Sequence, residues 1–149
     1  GTLMEHVQIP HLISALALSL TFGGMTFFSA VVAPLVFTRL HPETAGCFIR
    51  HLFPWYYLTM GVTTLLALVA MIPAQHGSLT WEAALTLFVL SGFILARQLL
   101  MPSINRARDE ELAGREGAGL SFARLHRTSV LINGLQWLAT LAALVLMLS

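Results

Sequence analysis

Four stretches of this chain stay apolar for long enough to cross a bilayer, and that feature decides what it can fold into. About 20 apolar residues, rising about 1.5 Å each, traverse the roughly 30 Å hydrocarbon layer. The stretches run from about Ile9 to Phe37, Leu52 to Ile72, Leu79 to Met101 and Phe122 to Leu148. Backbone groups in lipid must be satisfied within the protein, which leaves helices or closed barrels. None of the four alternates in steps of two as a barrel strand does. The reading is an all-α integral membrane protein, a four-transmembrane-helix bundle with short loops, forming one domain over residues 3–149. Charged residues are only 10% of the 149, against about 25% in a soluble domain. Too little polar surface exists to face water, so the lipid bilayer is the expected partner. Gly1 and Thr2 read as the remnant of a cleaved tag, and the first stretch is too long for a signal-peptide core.

Prolines and arginines order the connections. Pro42, Pro73 and Pro102 are expected in loops, where a missing N–H does no harm. Pro34 and Pro54 are expected near helix ends. Thr80, followed by Trp81 and Glu82, reads as a helix N-cap with an acid in the first turn. Trp81 at one interface, with Trp55, Tyr56 and Tyr57 at the other, suits an aromatic belt. All eight of the Lys+Arg residues are arginines, at 39, 50, 97, 106, 108, 115, 124 and 127. They border or fill the first and third connections, while the second connection and both termini have none. The positive-inside rule then places loops 38–51 and 102–121 in the cytoplasm and both termini outside. The expected location is a bacterial inner membrane. A net charge of +1 and no long basic run argue against a nucleic-acid partner.

The helix faces carry the remaining information. His126, Ser129, Asn133, Gln136 and Thr140 recur every three or four residues within an arc of about 80°. Polar groups in hydrocarbon need partners, so this stripe is expected to face the bundle interior, with Trp137 beside it. Span one offers a small-residue face, Ser19, Gly23, Thr26, Ala30 and Ala33, against which another backbone can approach closely. Span two adds Tyr56, Thr59, Thr63 and Ala67. Ser129, Asn133 and Gln136 are also read as interhelical glue, and His126 as a ligand, a proton carrier or a helix-end histidine. Arg97 lies inside span three and is expected to snorkel to the interface or to pair with Asp109 or Glu43. His51 lies at the level of His126. On the opposite side His6, His11 and His76, with Met4, Met71 and Met147, supply imidazole and thioether groups of the kind that suit Cu(I). The segment from Pro102 to Arg124 reads as a solvated extension of span three followed by a glycine-rich return. Cys47 is the one cysteine, so no intrachain disulfide can form.

No Walker loop, GxGxxG, HExxH or GxSxG motif occurs, and no paired carboxylates lie within a span. Hydrolytic and phosphoryl-transfer chemistry therefore has no footing, and a redox role would require bound haem.

Several stretches taken together resemble a known family. They are Phe22-Gly23-Gly24-Met25 leading to Val32-Ala33-Pro34-Leu35-Val36-Phe37, then Leu52-Phe53-Pro54-Trp55-Tyr56-Tyr57. Pro102-Ser103-Ile104-Asn105 with Arg108-Asp109, then Phe122, Leu125, His126, Ser129 and Asn133, complete the pattern. The chain resembles the four-span family of unknown function typified by transmembrane protein 205. In architecture it is also similar to the copper-resistance CopD-type and haem-binding HemJ-type membrane proteins. The resemblance implies a four-helix membrane protein and no defined activity.

Three functional expectations follow. The first is a cofactor- or small-molecule-binding bundle, with haem b as the leading ligand. Its candidate site residues are His126, His51, Asn133, Gln136, Ser129 and Arg97. The second is a copper-type resistance or transport protein using the outer His/Met group, with His6, His11 and His76 as its candidate ligands, or the polar stripe as a path. The third is a ligand-free homo-oligomer assembled through Ser19, Gly23, Thr26 and Ala30.

Overall fold

The computed structural model describes the backbone of residues 2–149 and the side chains of residues 8–149. Four helical runs are long and apolar enough to cross a membrane: Gln8–Arg39, Pro42–Ala74, Trp81–Leu112 and Ala118–Leu148. Each has 31 to 33 residues, or about 48 Å of helix at about 1.5 Å per residue. That exceeds the hydrocarbon layer, so every run overhangs it.

The first run comprises α1 (Thr2–Phe27), a π-helical turn (Phe28–Val32) and α2 (Ala33–Arg39). The second is α3 (Pro42–Met71), ending in a 3-10 turn (Ile72–Ala74). The third is α4 (Trp81–Leu95), a second π turn (Ala96–Leu100) and α5 (Met101–Leu112). The fourth is α6 (Ala118–Leu148). Neighbours pack in the ring α1–α3–α4–α6–α1, which leaves α3 and α6 on one diagonal.

Local chemistry explains the boundaries. Pro42 occupies the first turn of α3, where its missing N–H is harmless. Thr80 caps α4 as expected, its side chain accepting from the Ala83 N–H at 3.2 Å. The return after α5 uses Gly114 and Gly117 at φ of +79° and +80°, a region that favours glycine.

Pro102 departs from its expected place in a loop, because it lies inside a continuous helical run. So does Pro34. Each follows a π turn: Ala33 N–H bonds Phe28 O, and Met101 N–H bonds Ala96 O, five residues back. A proline ring crowds the carbonyl four residues earlier and donates nothing to it. Widening the preceding turn by one residue keeps the backbone bonded across that gap. The solvated extension expected of span three is present, as α5.

The bundle is packed unequally along its length. At the arginine-free end, Ala17, Leu18, Ala67, Met71, Ala83, Ala143 and Leu144 form one core cluster. Thr21, Thr64, Thr86 and Thr140, one from each span, are fully buried. Each hydroxyl donates to a carbonyl four residues earlier in its own helix, so its burial leaves no donor unpaired. Thr140→Val keeps the shape and removes only an internal bond. It should shift the thermal midpoint in detergent little, and a fall comparable to that of a core cavity would contradict this account.

At the arginine-rich end the contacts thin. The first π turn has no buried residue, and Val36 is the only one buried in α2. Val36 packs with Ala45 and Ile49 of α3. Most of α6 before Gln136 is exposed or half-buried.

Three sequence expectations shift accordingly. Tyr56 is buried and Tyr57 half-buried, whereas Trp55 is 68% exposed. Consecutive helical residues lie about 100° apart, so the three cannot share one lipid-facing belt. On span one, Ser19, Gly23 and Ala30 face outward, and a Cβ on Gly23 would meet nothing within 4 Å. The inward arc is Ser14, Ala17, Leu18, Thr21 and Met25, and from the small face Thr26 reaches span four, at Trp137. On span two Thr59 is likewise exposed, because the buried arc passes through Tyr56, Met60 and Thr64.

Candidate functional site

Interhelical hydrogen bonds locate where polar chemistry has been placed in the apolar layer. In lipid, packing and such bonds hold helices together, at about 0.6 kcal/mol each and up to roughly 1.7. Ser14 Oγ donates to Ala67 O at 3.2 Å, and the Thr21 and Thr63 hydroxyls meet at 2.7 Å, joining α1 to α3. Trp137 Nε1 donates to Thr26 Oγ1 at 2.8 Å, joining α6 to α1. Gln136 Nε2 donates to Val89 O at 2.8 Å, joining α6 to α4.

The stripe on α6 grades from interior to surface along the helix. Thr140 and Gln136 are buried, Asn133 and Ser129 half-buried, and His126 exposed. Gln136 is glue: its side chain fills the space beside Gly92. Ser129 Oγ donates within its own helix to His126 O. Asn133 is the junction, with Oδ1 accepting from Tyr56 at 3.3 Å and Nδ2 donating to Ser29 Oγ at 3.1 Å. It thereby ties the diagonal helix α3 and the exposed first π turn to α6.

Tyr56 belongs to an aromatic group. Its ring stacks on Phe28 at 4.3 Å and meets Phe93 edge-on at 6.4 Å, while Phe53 stacks on Tyr57 at 5.4 Å. Sequence reasoning passed over Ser29, Phe28, Phe53 and Phe93. Phe28 and Ser29 sit in a π turn, where a 3.6-residue period does not predict the facing side.

Arg97 lies in the second π turn, half-buried. It is sixteen residues beyond Trp81, about 24 Å along the helix and so still within the hydrocarbon layer. Its Nε points to Pro54 O and its Nη1 to Gln98 Oε1, both at 3.4 Å. Neither expected partner is engaged. Asp109 is held instead by Arg50 through two bonds of 2.8 Å, and among the described residues no carboxylate forms an ion pair with Arg97.

The Arg50–Asp109 pair lies beyond the apolar spans and links the overhangs of α3 and α5. The hydrogen bonds from Arg50 hold the Asp109 carboxyl below the usual carboxylate range. The contribution of this pair is present at neutral pH and lost as pH falls through that lowered value. Both side chains are substantially exposed, so it is small. Asp109→Asn is expected to leave the thermal midpoint at pH 7 nearly unchanged; a large drop would give the pair a structural weight its exposure denies. Two further pairs, Arg108–Glu111 and Arg115–Glu110, brace the same end.

The histidines do not converge. His51 Nδ1 bonds Cys47 O at 2.8 Å on its own helix. It precedes inward-facing Tyr56 by five residues, about 140° around the helix, and is exposed. His126 stacks on Phe122, whose other neighbour is Arg108 at 5.4 Å. His11 and His76 are exposed, and the side chain of His6 lies outside the described residues. Among the described residues no group of three His, Cys, Asp or Glu side chains is arranged to hold a metal ion.

In comparison with known proteins, the family described as "Domain of unknown function (DUF4149)" matches residues 16–113. No curated protein and no solved structure matches the chain.

Proposed function

Because the chain belongs to the DUF4149 family, whose description names no activity, its own side chains must supply the functional reading, and we propose a membrane bundle that binds an anionic amphiphile at its arginine-rich end. The observation that carries this reading is Arg97. An arginine at the centre of a spanning helix costs about 2.5–3.5 kcal/mol, less near an interface. Two long contacts to neutral oxygens offset little of that cost, and an arriving carboxylate or phosphate offsets more. Around it the fold supplies what the rest of an amphiphile needs: the aromatic group of Phe28, Phe53, Tyr56, Tyr57 and Phe93, and the polar junction of Tyr56, Asn133 and Ser29. The sparse packing of the first π turn against α6 favours approach from the lipid side.

Haem, a flat apolar ring with two carboxylates, belongs to this ligand class and is the first ligand to test. His51 and His126 stand on diagonal helices with His51 turned away, which does not fit a ring sandwiched between the two imidazoles. His126 is the imidazole available as a ligand, with Arg97 facing a carboxylate. The test is purification in mild detergent, with absorbance recorded before and after reduction and mass spectrometry of whatever co-purifies. A Soret band identifies haem, and a stoichiometric anionic lipid without absorbance identifies a headgroup ligand. Either should be depleted in Arg97→Leu. A featureless spectrum with no retained anionic amphiphile sinks the reading.

The arginine-rich end is read as cytoplasmic, on the arginine distribution. Cys47, exposed near that end, is a native reporter. A membrane-impermeant maleimide should label it in inverted vesicles and spare it in intact cells; the opposite pattern would reverse the orientation.

A further inference from the structure

At the arginine-free end, far from Arg97, α1, α3 and α6 close around a small cavity of about 50 Å³. Its wall includes Pro10, His11, Ser14, Met71, Pro73 and Met147. Three of these carry ligating atoms, and they come from three different helices. The sequence separates them by 60 and 76 residues (71 − 11 and 147 − 71), so only the fold brings them to one space.

Their chemistry is selective. One imidazole and two thioethers make a neutral donor set with no carboxylate among the lining residues. Thioethers are soft ligands that select Cu(I), whereas hard divalent ions take carboxylate, carbonyl and water oxygens. Ser14, the one hydroxyl on the wall, is already spent on Pro10 O at 2.9 Å and Ala67 O at 3.2 Å. The volume has room for an ion, since about 10–15 Å³ of such space already admits a water molecule. Met71 is only 5% exposed, Met147 half-buried and His11 exposed. The imidazole thus stands nearest the surface, with a buried sulfur behind it. The Met71 backbone is itself fixed, its carbonyl accepting from Gln75 Nε2 at 2.9 Å.

We infer that this cavity is a binding site for a single soft monovalent cation, Cu(I), held by His11 and the thioethers of Met71 and Met147. Binding exchanges neutral ligands for water or a carrier's ligands and involves no redox step. The site is independent of the proposed ligand at the opposite end.

The experiment is competition for Cu(I) between the full chain in detergent and a chromogenic Cu(I) chelator, under a reductant. Ag(I) titration serves as a redox-inert repeat. One equivalent of Cu(I) should be retained, and Met71→Leu and Met147→Leu should each weaken retention at least tenfold. Leucine conserves volume, so both variants should fold. Met147 lies in the last turn of α6 and provides a readout if Met71→Leu does not fold. Arg97→Leu should leave Cu(I) retention unchanged, and Zn(II) should not displace Cu(I). Retention of less than one equivalent, or equal affinity in the Met71→Leu/Met147→Leu double variant, overturns the assignment. So does a loss seen with His11→Gln and with neither methionine variant, which would mark a surface imidazole only.

Discussion

Valine at Gly92 is expected to be the most destabilising single substitution in the bundle. A Cβ there would stand 2.5 Å from Gln136 Nε2 and 2.8 Å from its Cδ. Gln136 is 1% exposed and bonds Val89 O, so the side chain cannot swing aside without abandoning that bond inside the bundle. Overpacking costs about 1–3 kcal/mol, and a buried amide left unpaired costs about 1–3 kcal/mol more. A loss of about 3 kcal/mol is expected, read as a lower thermal midpoint and easier steric trapping of the unfolded state. The clash is with one side chain, so trimming that side chain should relieve it. Gly92→Val combined with Gln136→Ala should be less damaged than the two single losses added together. Strict additivity would show that Gly92 acts through something other than Gln136. Gly24 makes the contrast: its added Cβ would lie 2.5 Å from Met60 Cε, the free end of a flexible chain, so Gly24→Ala should be mild.

The second large effect is expected at Arg97. A hydrogen bond to a charged group contributes about 1.5–3 kcal/mol, and a desolvated pair in lipid lies at the upper end. Arg97→Leu should therefore weaken binding of the anionic amphiphile by roughly 30- to 150-fold, corresponding to about 2–3 kcal/mol. Stability should not fall with it, because leucine suits the hydrocarbon better than an unpaired guanidinium. Arg97→Lys should recover only part of the affinity, since an ammonium keeps the charge but not the two-pronged geometry. If binding persists undiminished in Arg97→Leu while the protein loses stability, the guanidinium is a helix-packing group and the ligand lies elsewhere.

Much of the architecture was legible from residues alone, for a definite reason. Twenty-odd apolar residues in a row, without the alternation of a barrel strand, have one physical solution in lipid, so the four helices emerged in their order, though the second begins already at Pro42 and the third runs on to Leu112. Thr80 announced its cap, and the glycines at 114 and 117 their turn. The faces were harder. A 3.6-residue period correctly placed Gln136 and Thr140 inward, but the same arithmetic matched Ser19, Gly23 and Ala30 to span four of the same bundle, and they face outward, where only contact with a second copy of the chain would cover them. Membrane helices are apolar all round, so periodicity discriminates weakly between core and lipid.

The site was half legible. Arg97 and Asn133 stood out as polar groups at depth, yet Ser29 and Phe28 were invisible because a π turn resets the facing direction. Sequence groups His11, Met71 and Met147 by end and by chemistry with His6, His76 and Met4, but that these three line one cavity was not legible, since sequence gives the end of the bundle at which a residue sits and not its azimuth. His51 illustrates the same gap, being level with His126 and pointing away.

The π turns also bear on how such a chain tolerates change in length. Each is geometrically an ordinary helix that has accommodated one surplus residue. Losing a single residue anywhere in Phe28–Val32 would let the widened turn close to a regular α-helical one while everything beyond it keeps nearly its present angle. Val36 would stay against Ala45 and Ile49, its companions in that cluster, whereas a residue lost from the regular helix before the turn would swing it away by about 100°. A deletion in Ala96–Leu100 would likewise leave Asp109 on the side of Arg50. Each surplus residue is thus absorbed within one turn, and these two points are where the chain can change length by one residue without reorienting either end of the molecule.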